Sequence, residues 1–240
     1  MPSLDLLFAC AAAAAVGGVI QGTAGYGVGL LLLPILAIIA SSHLPQVILI
    51  LGLPAVVWLA VKERGNVDSV TVGWLLLGRL AGTAGGVALL VVLAPHLLEV
   101  LFGVGTLAAV AAVPLGRLDF AVTRIQKLAA GTVSGLMGTT TGVGGPPVAL
   151  LFVRRSGAEI RGTVSAVQAV GAAVSLGAVA LTGRITVEDL ALAGLLFAPM
   201  CVGLWLSRIL VRRINATVVR AITLAAAGMS GAFIIVQGLV

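Results

Sequence analysis

Apolar residues run along this chain in eight stretches, 4–40, 44–61, 70–93, 97–115, 128–153, 163–181, 187–206 and 217–240, separated by short polar clusters. A helix that spans the hydrocarbon core of a bilayer needs about 20 such residues, and most of the stretches have that length. Two depart from it. The first is too long for one comfortable span, and the fifth is interrupted by Gly138, Gly142, Gly144, Gly145, Pro146 and Pro147. The pattern predicts an all-α polytopic membrane protein, a single membrane domain over residues 1–240, with two exceptional segments.

Those two segments are also each other's counterparts. Gly18, Gly22 and Gly25 recur 113 residues later as Gly131, Gly135 and Gly138, and Asp68 and Gly82 recur 121 residues later as Asp189 and Gly203. A duplication, with repeat one at about 1–118 and repeat two at about 124–240, accounts for both matches. Charge then orients the halves, because cytoplasmic loops are enriched in Lys and Arg. If every stretch crossed once, Lys62, Arg64, Arg117, Arg124, Lys127 and Arg184 would oppose Arg154, Arg155, Arg161, Arg208, Arg212 and Arg213, with no preference for either face. If the two glycine-broken stretches are instead re-entrant helical hairpins, all of these except Arg184 share one face. Irregular backbone at membrane depth is tolerated where protein buries it or where it lines a cavity. Each half then holds a hairpin plus three transmembrane helices. An odd number of crossings per half makes the two halves inverted repeats, as in many secondary transporters.

Composition closes off other classes. Hydrophobic residues make up 60% of the chain and charged residues 9%, far from the mix of a soluble domain. The net charge of +6 comes from 14 basic and 8 acidic residues, and the bases sit in short loops instead of on a soluble face that nucleic acid would need. Cys10 and Cys201 lie inside apolar runs without metal-ligand spacing, so they read as small core residues. The N-terminal run carries Asp5 and no Lys or Arg, unlike a secretory leader, and is read as mature chain. His43 and His96 fall at loop edges and read as solvated imidazoles, and no histidine or carboxylate pair lies within a span. Enzymatic chemistry, metals and cofactors are not expected.

The glycine-broken segments carry the candidate chemistry. Gln21-Gly22-Thr23-Ala24-Gly25-Tyr26-Gly27-Val28-Gly29 can stop one helix and start another within the membrane. A helix starting there points free N–H groups and the positive end of its dipole into whatever space it meets, which suits an anion. Gly138-Thr139-Thr140-Thr141-Gly142-Val143-Gly144-Gly145-Pro146-Pro147 offers the same arrangement with three added hydroxyls, and proline fits the first turn of the new helix. Facing each other, the two breaks would make a pocket. The alternating glycines Gly18 and Gly22, Gly78, Gly82 and Gly86, and Gly131 and Gly135 read instead as close helix packing.

All eight acidic residues lie at the ends of stretches, so Arg79 is the one charged residue well inside a span. Two readings compete for it: a fork of donors for an anion, or a long side chain that snorkels to the interface. Gln21 and Gln168 are the next polar candidates, either as ligands or as ties between helices. With no acidic residue in a span, any proton dependence is expected to follow the protonation of the substrate.

The paired motifs Gln21-Gly22-x-x-Gly25-Tyr26-Gly27 and Gly135-x-x-Gly138 through Gly144-Gly145-Pro146-Pro147, in a duplicated membrane protein of this length, resemble the sulfite exporter TauE/SafE family. The resemblance covers essentially the whole chain. It implies export or uptake of a small sulfur oxyanion or sulfonate across a bacterial cytoplasmic (inner) membrane. Thr139-Thr140-Thr141 departs from the usual second motif, where an apolar residue and more glycine are common, and this leaves the substrate open. Two alternatives stand beside a carrier: a passive anion channel and a membrane assembly partner without substrate. A homo-oligomer is compatible with either. The site expected from these readings comprises Gln21, Gly25, Tyr26, Gly27, Arg79, Thr139, Thr140, Thr141, Gly142, Gly144, Gly145 and Gln168.

Overall fold

A computed structural model describes residues 4–94, 122–152 and 157–210, with scattered positions between 96 and 111 and between 225 and 236. The described elements are helical: α1 (Leu4–Ala24), α2 (Val28–Ala40), α3 (Gln46–Lys62), α4 (Ser69–Val92), α5 (Arg124–Thr141), α6 (Gly145–Leu150), α7 (Gly157–Leu181) and α8 (Val187–Leu210). By length and composition α1, α4, α7 and α8 can cross a membrane, and α3 is a shorter apolar helix. The spans expected within 97–115 and 217–240 lie outside the continuously described residues, as do Arg117, Arg154, Arg155, Arg212 and Arg213.

Local chemistry sets the helix boundaries. The Asp68 carboxylate accepts from the Thr71 N–H at 3.0 Å to start α4. Thr123 and Gln126 form a reciprocal capping box at the start of α5. Thr186 and Asp189 exchange the same pair of bonds, at 2.7 and 3.2 Å, at the start of α8. Both expected breaks occur. α1 ends at Gly25 with φ +90°, and α5 ends at Gly142 with φ +76°, a left-handed conformation that a side chain would oppose. A Cβ on Gly17 would lie 2.9 Å from Val28 Cα, so the start of α2 packs against α1. The Ser134 hydroxyl donates to the Gly144 carbonyl at 2.5 Å, drawing the start of α6 onto α5.

The glycine stripes are packing surfaces. Gly78 faces Leu128 and Thr132, Gly82 faces Thr132 and Leu136, and Gly86 faces Leu136 and Thr139, so α4 and α5 run parallel in close contact. Gly18 against Met200 and Leu204, and Gly22 against Leu204 and Ser207, align α1 with α8 in the same way. The contacts repeat in detail. Gly82 meets Thr132 and Leu136 as Gly203 meets Ala15 and Val19, and Gly135 meets Arg79 and Thr83 as Gly18 meets Met200 and Leu204. Residues 15, 18 and 19 thus match 132, 135 and 136, a shift of 117, while 79, 82 and 83 match 200, 203 and 204, a shift of 121. Among the described residues, α5 therefore packs on α4 and α1 on α8 through matching glycine contacts.

Contacts at the two ends give the helix directions. At one end Glu63 pairs with Arg161 at 3.1 Å, the Asp68 N–H donates to Thr163 Oγ1 at 3.1 Å, and Arg124 lies 5.3 Å from the Trp74 ring. At the other, His43 meets Asp189 at 2.6 Å and Arg184 donates to the Leu90 carbonyl at 3.0 Å. Helices α1, α3 and α8 run toward the first end, and α4, α5 and α7 run away from it. Lys62, Arg64, Arg124, Lys127, Arg161 and Arg208 gather at that first end, and Arg184 sits at the opposite one. His43 is not a free loop-edge imidazole: its partner Asp189 is 1% exposed.

Candidate functional site

Arg79 sits near the middle of α4 and is 2% exposed, so it does not snorkel. One guanidinium nitrogen donates to Ser134 Oγ on α5 at 2.5 Å and to Gln168 Oε1 on α7. Its Nε is buried and has no hydrogen-bond partner among the described residues. Among the described residues no carboxylate pairs with it. Three glycines make the space it occupies. A Cβ on Gly138 or on Gly144 would come within 2.8 Å of a guanidinium nitrogen, and one on Gly171 would overlap the side chain.

The two glycine breaks touch in front of this arginine. A Cβ on Gly145 would press on Tyr26, its Cγ 2.8 Å away, and one on Gly29 would meet Val143 and Ile48 at 2.9 Å. Between them lies a cavity of about 40 Å³ lined by Gln21, Tyr26, Gly27, Gly29, Arg79, Gly142, Gly145 and Gln168 together with apolar residues of α3. A water occupies some 10–15 Å³ on this measure, so the space matches about three waters or one small oxyanion. Residues of both glycine breaks line it.

Gln21 is 4% exposed and braces the first break. Its Nε2 donates to the Gly25 carbonyl at 2.9 Å, and its Oε1 accepts from the Val28 N–H at 3.4 Å. That leaves fewer free donors than the sequence suggested. The Gly142 N–H goes to the Gly138 carbonyl and the Val143 N–H to Thr141 Oγ1, each at 3.1 Å, while Pro146 and Pro147 carry none. Gly29 and Gly145 stand in the first turns of α2 and α6, where backbone N–H groups lack an intrahelical acceptor, and both residues line the cavity.

The structure does not bring every expected residue together. Thr139, Thr140 and Thr141 are buried but do not line the cavity, because their hydroxyls bond to carbonyls of their own helix. Thr139 Oγ1 donates to Gly135 at 2.8 Å, Thr140 to Leu136 at 2.6 Å and Thr141 to Met137 at 2.8 Å. Hydroxyls in a helix commonly close in this way on the preceding turn. Gly25 sits behind the break, facing Arg161 Cα and Ser165 Oγ, and Gly144 stands behind the guanidinium. The sequence missed Ser134, which joins Arg79 to the second break, and Gly171. Both were legible in principle, since a buried arginine needs small neighbours and an acceptor.

Residues 10–234 match the family model described as Sulfite exporter TauE/SafE. No curated protein and no solved structure matches the chain.

Proposed function

This chain belongs to the sulfite exporter TauE/SafE family, and from that premise we propose that it is a secondary transporter exporting a small sulfur oxyanion, sulfite or a compact organosulfonate. The observation that carries this reading is Arg79, a buried guanidinium beside a small cavity with no described carboxylate to neutralise it. Isolating a charge from water costs several kcal/mol, and leaving it unpaired is strongly destabilising. A bound anion in the cavity removes that cost, with the Gly29 and Gly145 N–H groups as further donors. The cavity volume favours a compact oxyanion over an extended substrate.

In this reading the halves are inverted repeats, and the glycine-broken hairpins are re-entrant. Two features support it: the opposed directions of α1 and α5, α3 and α7, and α4 and α8, and the repeated glycine contacts. The basic end then faces the cytoplasm of a bacterial inner membrane, an orientation that the clustering of Lys and Arg supports. Rocking of one half against the other then exposes the shared cavity to each side in turn.

Purified Arg79→Gln and Arg79→Lys test the proposal against sulfite, sulfate, thiosulfate, a sulfonate and a carboxylate. Losing one partner of a buried charged pair costs about 2–5 kcal/mol, so sulfite affinity should fall roughly thirty-fold or more in Arg79→Gln. Arg79→Lys should retain part of it. A folded Arg79→Gln that binds sulfite like the parent would refute the reading.

A further inference from the structure

A second concavity lies on the outside of the molecule, away from the site just described. It is a groove of about 250 Å³ between α3 and α8, lined by apolar residues that include Trp58, Phe197, Met200 and Trp205. Phe197 is 43% and Trp205 58% exposed, so the groove opens sideways to the surroundings. At its mouth two cations share one aromatic ring. Lys62 Nζ lies 5.0 Å from the Trp58 centroid and the Arg208 guanidinium 5.1 Å from it, which puts the two charges no more than about 10 Å apart. Among the described residues neither pairs with a carboxylate, and the neighbouring Glu63 is committed to Arg161. Arg208 lines the apolar slot and Lys62 reaches the aromatic ring that walls it, an arrangement that suits an anion with an apolar tail.

We propose that this groove binds one anionic glycerophospholipid, its phosphate held between Lys62 and Arg208 and an acyl chain laid along Trp58, Phe197 and Trp205. The end at which the two cations sit is also the end that gathers Arg64, Arg124, Lys127 and Arg161, and a leaflet with anionic headgroups is drawn to such a surface. Tryptophan at that depth suits the headgroup boundary. Because α3 and α8 belong to different halves, the lipid would straddle the seam between them.

The test uses the full-length protein in detergent, with phosphatidylglycerol and phosphatidylcholine of matched chains, and inorganic phosphate as a third probe. Native mass spectrometry and thermal unfolding read retention. Two nearby basic residues, at about 1 kcal/mol each toward an anionic lipid, should make phosphatidylglycerol preferred roughly thirty-fold. The double variant Lys62→Gln/Arg208→Gln should lose that preference, and Lys62→Arg/Arg208→Lys should keep it. Equal retention of the two lipids by the parent would overturn the proposal, and so would a preference unchanged in the glutamine variant. An equal effect from inorganic phosphate would also overturn it, by reducing the groove to a free-anion site. Sulfite binding measured on the same samples keeps this outcome separate from the fate of the Arg79 reading.

Discussion

The sharpest consequence of the Arg79 seat falls on a residue that touches no ligand. Gly171→Ala adds one methyl group to α7, and that methyl would overlap Nε, Cδ and Cζ of Arg79. Gly171 is itself buried, so the arginine must yield. In yielding, it gives up Ser134 and Gln168, hydrogen bonds to a charged group that are worth about 1.5–3 kcal/mol each. It also withdraws charge from the cavity. We predict a loss of sulfite affinity close to that of Arg79→Gln, about 2–5 kcal/mol, with a stability cost of about 3 kcal/mol or more, since overpacking adds to the lost hydrogen bonds. Gly177→Ala is the control, on the same helix with nothing within 4 Å of the added Cβ. There alanine should stabilise slightly, by about 1 kcal/mol at most, through helix propensity. Titration calorimetry on purified variants, with thermal unfolding alongside, measures both effects. The double variant Arg79→Gln/Gly171→Ala should bind no worse than Arg79→Gln alone, since two changes that remove the same contact do not add. A folded Gly171→Ala that binds as tightly as Gly177→Ala would refute the reasoning.

Gly144→Val should lower anion affinity at least tenfold, because its Cβ would meet the Ser134 carbonyl at 2.6 Å and the guanidinium at 2.8 Å. Thr140→Val removes only bonds within its own helix, and should cost about 1 kcal/mol of stability while leaving affinity unchanged in the same titration. Gly82→Ala and Gly203→Ala should each lower stability by about 1–3 kcal/mol in thermal unfolding, to similar extents; a large difference would count against equivalent seams. In a background lacking Cys10 and Cys201, a membrane-impermeant thiol reagent should label Gly65→Cys and Gly157→Cys from one side and Thr182→Cys from the other. Labelling of all three from one side would overturn the helix directions.

Hydropathy located the helices well. The stretch 70–93 became Ser69–Val92, and the long first stretch divided at Gly25 where its glycines had suggested. The register of the second break was less legible. Matching glycine spacing paired Gly25 with Gly138, whereas the left-handed residue that ends α5 is Gly142, a shift of 117 instead of 113. Spacing rewards any glycine, and Gly138 is one for a different reason, to make room for Arg79. The threonines misled for a related cause, since a hydroxyl in a sequence carries no sign of whether its own helix has already taken it. His43 read as solvated because its partner, Asp189, lies 146 residues away and only the fold brings them together.

The two glycine seams look alike in space but are made at very different moments of synthesis. Gly135 on α5 follows Gly82 on α4 by 53 residues, so that seam can close as soon as α5 leaves the ribosome. Gly18 on α1 must wait for Gly203, 185 residues later, which at about 5–20 residues per second is roughly 10–40 s. Through that interval α1 carries an unfilled glycine notch in the lipid, and a chain that stops short of α8 never fills it. Of the two seams, the one at α1 is therefore the later to be completed and the one that truncation before α8 abolishes.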